Sequence, residues 1–120
     1  MAANLNYRIE EASTPDDTKI VYMSGEIDES NQPELERMFQ ELLNDEELQH
    51  IILNIKDLDF INSCIIGIFV SFHGSLVEND KSIVFAEAND NIFDIIDLVG
   101  LTSVIEHFAT NQEACLSFED

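Results

Sequence analysis

The sequence predicts an α/β domain with a mixed central sheet of four to five strands and about four helices, in the order β-β-α-β-α-β-α-β-α. Three observations carry this expectation. Short segments rich in β-branched residues alternate with longer segments whose apolar residues recur at helical spacing. Capping and turn residues fall at the junctions between them. Finally, 120 residues at 45% hydrophobic composition suffice for one core, so residues 1–120 are expected to form one domain without needing disulfides or metal.

Residues 5–10, Leu-Asn-Tyr-Arg-Ile-Glu, alternate apolar and polar as a half-buried edge strand does. The cluster Ser13-Thr-Pro-Asp-Asp17 is a turn, and Lys19-Ile-Val-Tyr-Met-Ser24 a second strand that ends at Gly25 and completes a hairpin with the first. A helix then starts at Ser30-Asn31-Gln32-Pro33-Glu34: Asn31 can cap, Glu34 stands three residues on, and Pro33 suits only a first turn. Leu35, Met38, Phe39, Leu42 and Leu43 make its apolar stripe. The run His50-Ile-Ile-Leu-Asn-Ile55 suits a central strand covered on both faces, with Lys56-Asp57 marking its exit. A long helix follows from Cys64 to Glu78, then a buried strand over Lys81–Ala86 after a turn at 78–80. Asn89-Asp90-Asn91 caps a helix through Val99 that stops at Gly100. Residues 104–108 form a short last strand, and Thr110-Asn-Gln-Glu113 a capping box for a closing helix.

Charge narrows the function classes. With 25 acidic against 5 basic residues the formal net charge is -20, which repels phosphate backbones and anionic lipid, so no direct nucleic-acid contact is expected and a macromolecular partner should offer a basic patch. No secretory signal is visible, and the longest near-apolar run, Cys64 to Phe72, is far short of the ~20 residues that span a bilayer. A cytoplasmic protein without membrane insertion is therefore expected. Cys64 and Cys115 lack CxxC spacing and read as two small buried side chains rather than a disulfide. His50, His73 and His107 lie in three different elements without ligand spacing, so no metal is expected. Ser63 lacks a Gly-x-Ser-x-Gly elbow, no phosphate-binding loop or dinucleotide fingerprint occurs, and neither a cofactor nor enzymatic activity is expected.

The stretch from Asp59 to Gly74 is the most informative. The polar pair Asn62-Ser63 separates two apolar runs, at the carboxyl end of the central strand where α/β sites collect. Ser63 reads as a hydroxyl at a helix N-terminus, either a plain N-cap or a phosphorylation site whose phosphate would meet unpaired N–H groups and the positive helix end. Along the same helix Gly67, Ser71, Gly74 and Ser75 share one stripe, with Ile65, Phe69, Phe72 and Leu76 opposite. The bulky side is the expected core face, and the small stripe is either a close-packing surface or a flat docking surface.

Taken together, Gly25-Glu-Ile-Asp28, the strand at 51–55, Asp59-Phe-Ile-Asn-Ser63 and Gly100-Leu101 resemble a STAS domain of the anti-sigma factor antagonist type over essentially the whole chain. The resemblance implies a protein that binds an anti-sigma factor serine kinase, is switched off by phosphorylation at the position of Ser63, and is restored by a phosphatase acting on phospho-Ser63. The surface around Ser63, with the small stripe and the neighbouring strand-helix turn, is the expected partner surface, comprising Asp28, Asn31, Asn62, Ser63, Gly67, Ser71 and Gly74 of a monomer or weak dimer. Where the family commonly has Asp-Ser-Ser/Thr-Gly, this chain has Asn62-Ser63-Cys64-Ile65. The bulky Ile65 either obstructs a partner or fills core, and the departure leaves a constitutive STAS scaffold or subunit of a signalling or transport complex as the alternative.

Overall fold

Alternation of side chains along the central strand divides the molecule into two unequal cores. A computed structural model describes residues 4–12 and 16–119, with the backbone alone at Cys64. The chain runs β1 (Leu5–Glu11), β2 (Thr18–Ile27), α1 (Gln32–Asn44), β3 (His50–Ile61), α2 (Ser63–Glu78), β4 (Ser82–Ala86), α3 (Asp90–Leu98), one 3-10 turn (Leu101–Ser103), β5 (His107–Phe108) and α4 (Asn111–Ser117). The five strands lie in the order β1-β2-β3-β4-β5. β1 is antiparallel to β2, and every later pair is parallel. This is the mixed α/β sheet and element order that the sequence predicts.

Ile51, Leu53 and Ile55 of β3 share one core with α1, α2 and α3, whereas Ile52 shares the other with Ile20, Val84 and Ala114 of α4. Three helices thus cover one face and a single seven-residue helix the other. Each aliphatic side chain so buried contributes on the order of 1.5–3 kcal/mol. Two predicted caps form as expected. The Asn89 side chain accepts from the Ile92 N–H at 2.9 Å, and Thr110 accepts from the Glu113 N–H at 3.0 Å. Gly100, with φ +83, ends α3 in the left-handed region as predicted.

Other elements differ from expectation. β3 does not exit at Lys56-Asp57 but continues to Ile61. β4 stops at Ala86 opposite Asn54, so beyond that point β3 pairs with β2 alone, and this two-stranded ribbon leaves Lys56, Asp57 and Asp59 in solvent while burying Leu58 and Ile61. β2 likewise does not end at Gly25: the glycine lies inside the ribbon with φ +95, where an added Cβ would stand 2.1 Å from the Asn4 carbonyl oxygen. β1 is less buried than a half-covered strand, since Leu5 alone among its residues is buried. The last strand shrinks to two residues because Val104 and Ile105 belong to the end of the 3-10 turn, their N–H groups donating to the Leu101 carbonyl at 3.0 and 2.9 Å. Of the predicted Ser13–Asp17 turn, residues 13–15 lie outside the described residues, as does the Cys64 side chain.

Candidate functional site

The long β2–β3 ribbon delivers the chain to α2. At its end the Asn62 N–H donates to the Ile27 carbonyl at 2.9 Å, which holds the entrance of α2 against the turn leaving β2. The helix begins at Ser63 itself, and the Ile65 N–H donates to the Asn62 carbonyl at 2.9 Å. Ser63 is therefore the first helical residue rather than the N-cap, and Asn62 occupies the position before it. Ser63 is exposed. The α2 first turn carries no acid, so no carboxylate of its own offsets the positive end of the helix.

The neighbouring turn, 27–31, is built from polar contacts. The Asp28 carboxylate accepts from the Ser30 N–H at 2.8 Å and the Ser30 hydroxyl at 2.5 Å, and these bonds hold its pKa below the ordinary carboxylate value. Asn31 stands at the start of α1 but makes no cap bond with its side chain. Instead its Oδ1 accepts from the Asp28 N–H at 3.1 Å and its Nδ2 donates to the Glu26 carbonyl at 2.9 Å. At 7% exposure Asn31 shapes this turn from beneath, while Asp28 stays partly exposed above it. The Asn62 Nδ2 donates to Glu29 Oε2 at 3.0 Å, joining the turn to the α2 entrance. On the other side, Asn89 donates to the Lys56 and Leu58 carbonyls at 2.9 and 2.8 Å and so ties α3 to the ribbon.

Two sides of α2 follow the predicted division. Ile65, Phe69, Phe72 and Leu76 are buried, whereas Ser63, Gly67, Ser71 and Gly74 are exposed and Ser75 is half-buried. A Cβ added at Gly67 or Gly74 would meet nothing within 4 Å, so close packing is not why these positions are small. Rather, Gly67, Ser71 and Ser75 border an open groove of about 320 Å³ against Glu36, Phe39, Gln40 and Leu43 of α1. Its floor includes Phe39 and Phe72, stacked with centroids 4.0 Å apart. At 1.5 Å rise per residue the open stripe from Ser63 to Gly74 is ~16 Å long. Ile65 fills core and does not stand on the open side.

The histidines serve the fold. His50 stacks on Phe118 at 4.2 Å with Nδ1 2.6 Å from the Ser82 hydroxyl, and burial lowers its pKa. His107 Nε2 accepts from the Ala88 N–H at 3.1 Å, and burial lowers its pKa as well. His73 is half-buried on α2. Among the described residues no group of three or more His, Cys, Asp or Glu could hold a metal ion. Cys115 is a free thiol whose pKa is raised by burial and by Glu119. No helix among the described residues is long and apolar enough to cross a membrane. Sequence reasoning missed Glu29 and the α1 wall of the groove. Phe39 and Leu43 looked like ordinary core positions, and only helix placement reveals the opening beside them.

Comparison with known proteins agrees with this fold. The STAS domain family matches residues 10–114. The chain is 28% identical over 102 residues to an anti-sigma-B factor antagonist of Staphylococcus aureus, covering 85% of this chain and 91% of that protein. Its fold matches the crystal structure of an anti-sigma factor antagonist from Mycobacterium paratuberculosis with a TM-score of 0.84, at 20% identity over 100% of both chains. It also matches the phosphorylated form of the Bacillus cell fate determinant SpoIIAA with a TM-score of 0.66, at 17% identity, covering 91% of this chain and 96% of that one.

Proposed function

This chain belongs to the STAS domain family, and within it we propose that the protein is an anti-sigma factor antagonist whose binding is switched at Ser63. The observation that carries the reading is the combination at α2: an exposed serine in the first turn leads a stripe of small, uncharged residues with open space above it. In the unmodified protein that stripe, the groove beside it and the Asp28–Asn31 turn dock onto an anti-sigma factor of the serine-kinase type. A partner with a basic patch suits a chain of net charge -20.

Phosphorylation at Ser63 adds ~1.5 to 2 negative charges on this face. The phosphate is accommodated by the positive end of α2, an interaction of about 0.3–1 kcal/mol, so the fold need not rearrange. Glu29, held to the adjacent Asn62, adds like charge at the same spot. A partner approaching the phosphorylated face must therefore desolvate a dianion beside carboxylates, and binding is lost until a phosphatase removes it. The likeness to SpoIIAA, known in a phosphorylated form, supports this reading. The chain itself contributes no catalytic group, takes no cofactor and acts in the cytoplasm.

The test is incubation with ATP and a kinase-type anti-sigma factor from the same organism, followed by peptide mass spectrometry. One phosphate on the peptide containing Ser63, and none in Ser63→Ala, is expected. No modification, together with a Ser63→Asp variant that binds that kinase as tightly as wild type, would overturn the switch.

A further inference from the structure

β1 is the outermost strand of the sheet and pairs with β2 alone among the described residues. It exposes two large apolar side chains, Tyr7 at 39% and Ile9 at 37%, on the side of the sheet shared with Leu5, while Arg8 and Glu10 alternate with them on the other side. The opposite edge, β5, is only two residues long. Proteins normally blunt a long edge with charge, a bulge or a covering element, because its unpaired N–H and C=O groups template another strand.

Backbone parity limits what can add there. The Glu26 N–H donates to the Asn4 carbonyl at 2.8 Å, and the Ala12 N–H donates to the Thr18 carbonyl at 3.0 Å. In this register the even-numbered residues of β1 aim their backbone groups at β2, while Leu5, Tyr7, Ile9 and Glu11 aim theirs outward. A second antiparallel strand must therefore bond to the odd-numbered residues. With a twofold axis through Ile9, a second β1 meets this demand: Ile9 faces Ile9 and Tyr7 faces Glu11 in hydrogen-bonded pairs. Arg8 then faces Glu10 twice, in the non-hydrogen-bonded pairs where side chains lie closest. An axis through Arg8 would set guanidinium against guanidinium, and one through Tyr7 leaves the charges unmatched.

We propose that the free edge of β1 is an interface for a second copy of this chain, paired antiparallel about Ile9 so that one sheet runs through both copies. Arg8 and Glu10, 65% and 48% exposed and joined at 2.5 Å within the strand, each gain the partner's opposite charge. A formal net charge of -20 on each copy opposes association, so the dimer is weak and tightens as salt screens the repulsion. The docking face on α2 is left free.

Sedimentation equilibrium of the full chain from about 10 µM to about 1 mM, at about 0.15 M and about 0.5 M salt, tests this. A monomer–dimer equilibrium that tightens at the higher salt is expected. Ile9→Pro removes only an outward N–H, so it should keep the circular dichroism melt of a folded protein and lose the dimer. Arg8→Glu and Glu10→Arg should each weaken association at least tenfold, and the double exchange should restore it to within threefold of wild type. A chain monomeric throughout, a dimer unaffected by Ile9→Pro, or a double exchange that stays as weak as the single ones would overturn the proposal.

Discussion

The two sides of α2 differ in what surrounds the same backbone. On one, Phe69 meets Phe39 and Phe85 edge-on with centroids 5.5 and 5.8 Å apart, and Ile65 and Leu76 are fully buried. On the other, Gly67 and Gly74 face empty space. Small residues along a helix ordinarily let a neighbouring helix approach, yet here α1 stands back and leaves a groove. The contrast separates two roles that a helical pattern merges: one side holds the domain together, and the other gives up side-chain contact and helix propensity for an accessible surface.

Substitutions can break that contrast. Phe69→Ala should cost about 3–5 kcal/mol in urea unfolding, because the space it vacates lies between rings that cannot collapse fully. Ile65→Gly, which recreates the residue common in the family, should cost more than about 3 kcal/mol through lost burial and a helical glycine. It should leave the open side unchanged, since Ile65 points into core. Asn31→Ala strips partners from the Asp28 N–H and the Glu26 carbonyl and should cost about 1–3 kcal/mol. Gly67→Ala sharpens the comparison most: it should stabilise the fold by about 0.5–1 kcal/mol while weakening partner binding.

The smallest expected effect lies away from α2. Burial lowers the His50 and His107 pKa values, so the fold favours the neutral rings. The unfolded chain then binds protons first, and stability should decline as pH falls below about 6.5, levelling off once the folded-state values are passed. Thermal melts between about pH 7 and pH 5 would register this as a falling midpoint, and replacing both histidines by glutamine should flatten it.

The α2 core side was legible because Ile65, Phe69, Phe72 and Leu76 keep helical spacing, and the caps at Asn89 and Thr110 because each stands three residues before the N–H it accepts from. The extension of β3 was not legible. Lys56-Asp57 resembles a strand exit, and only the absence of β4 beyond Ala86 lets those charges reach solvent from a ribbon that still buries Leu58 and Ile61. Gly25 likewise looked like a stop, when glycine is required there by a φ of +95 inside the strand and by the Asn4 carbonyl, from a residue remote in sequence, that occupies the place of a Cβ. Asn31 has the chemistry of a cap and stands where one belongs, but partners across the turn claim its amide. At the site itself the Asn62-Ser63 pair was placed correctly to within one residue, and the groove beside it depends on a helix separation that no local pattern encodes.

The central claim is that the open side of α2 is the docking surface and that charge at Ser63 closes it. Calorimetric titration of a kinase-type anti-sigma factor with wild type, Ser63→Asp and Gly67→Leu tests it most directly. Affinity at least tenfold weaker in both variants, with melting midpoints no lower than wild type, is the predicted result. Wild-type affinity in both variants would contradict it.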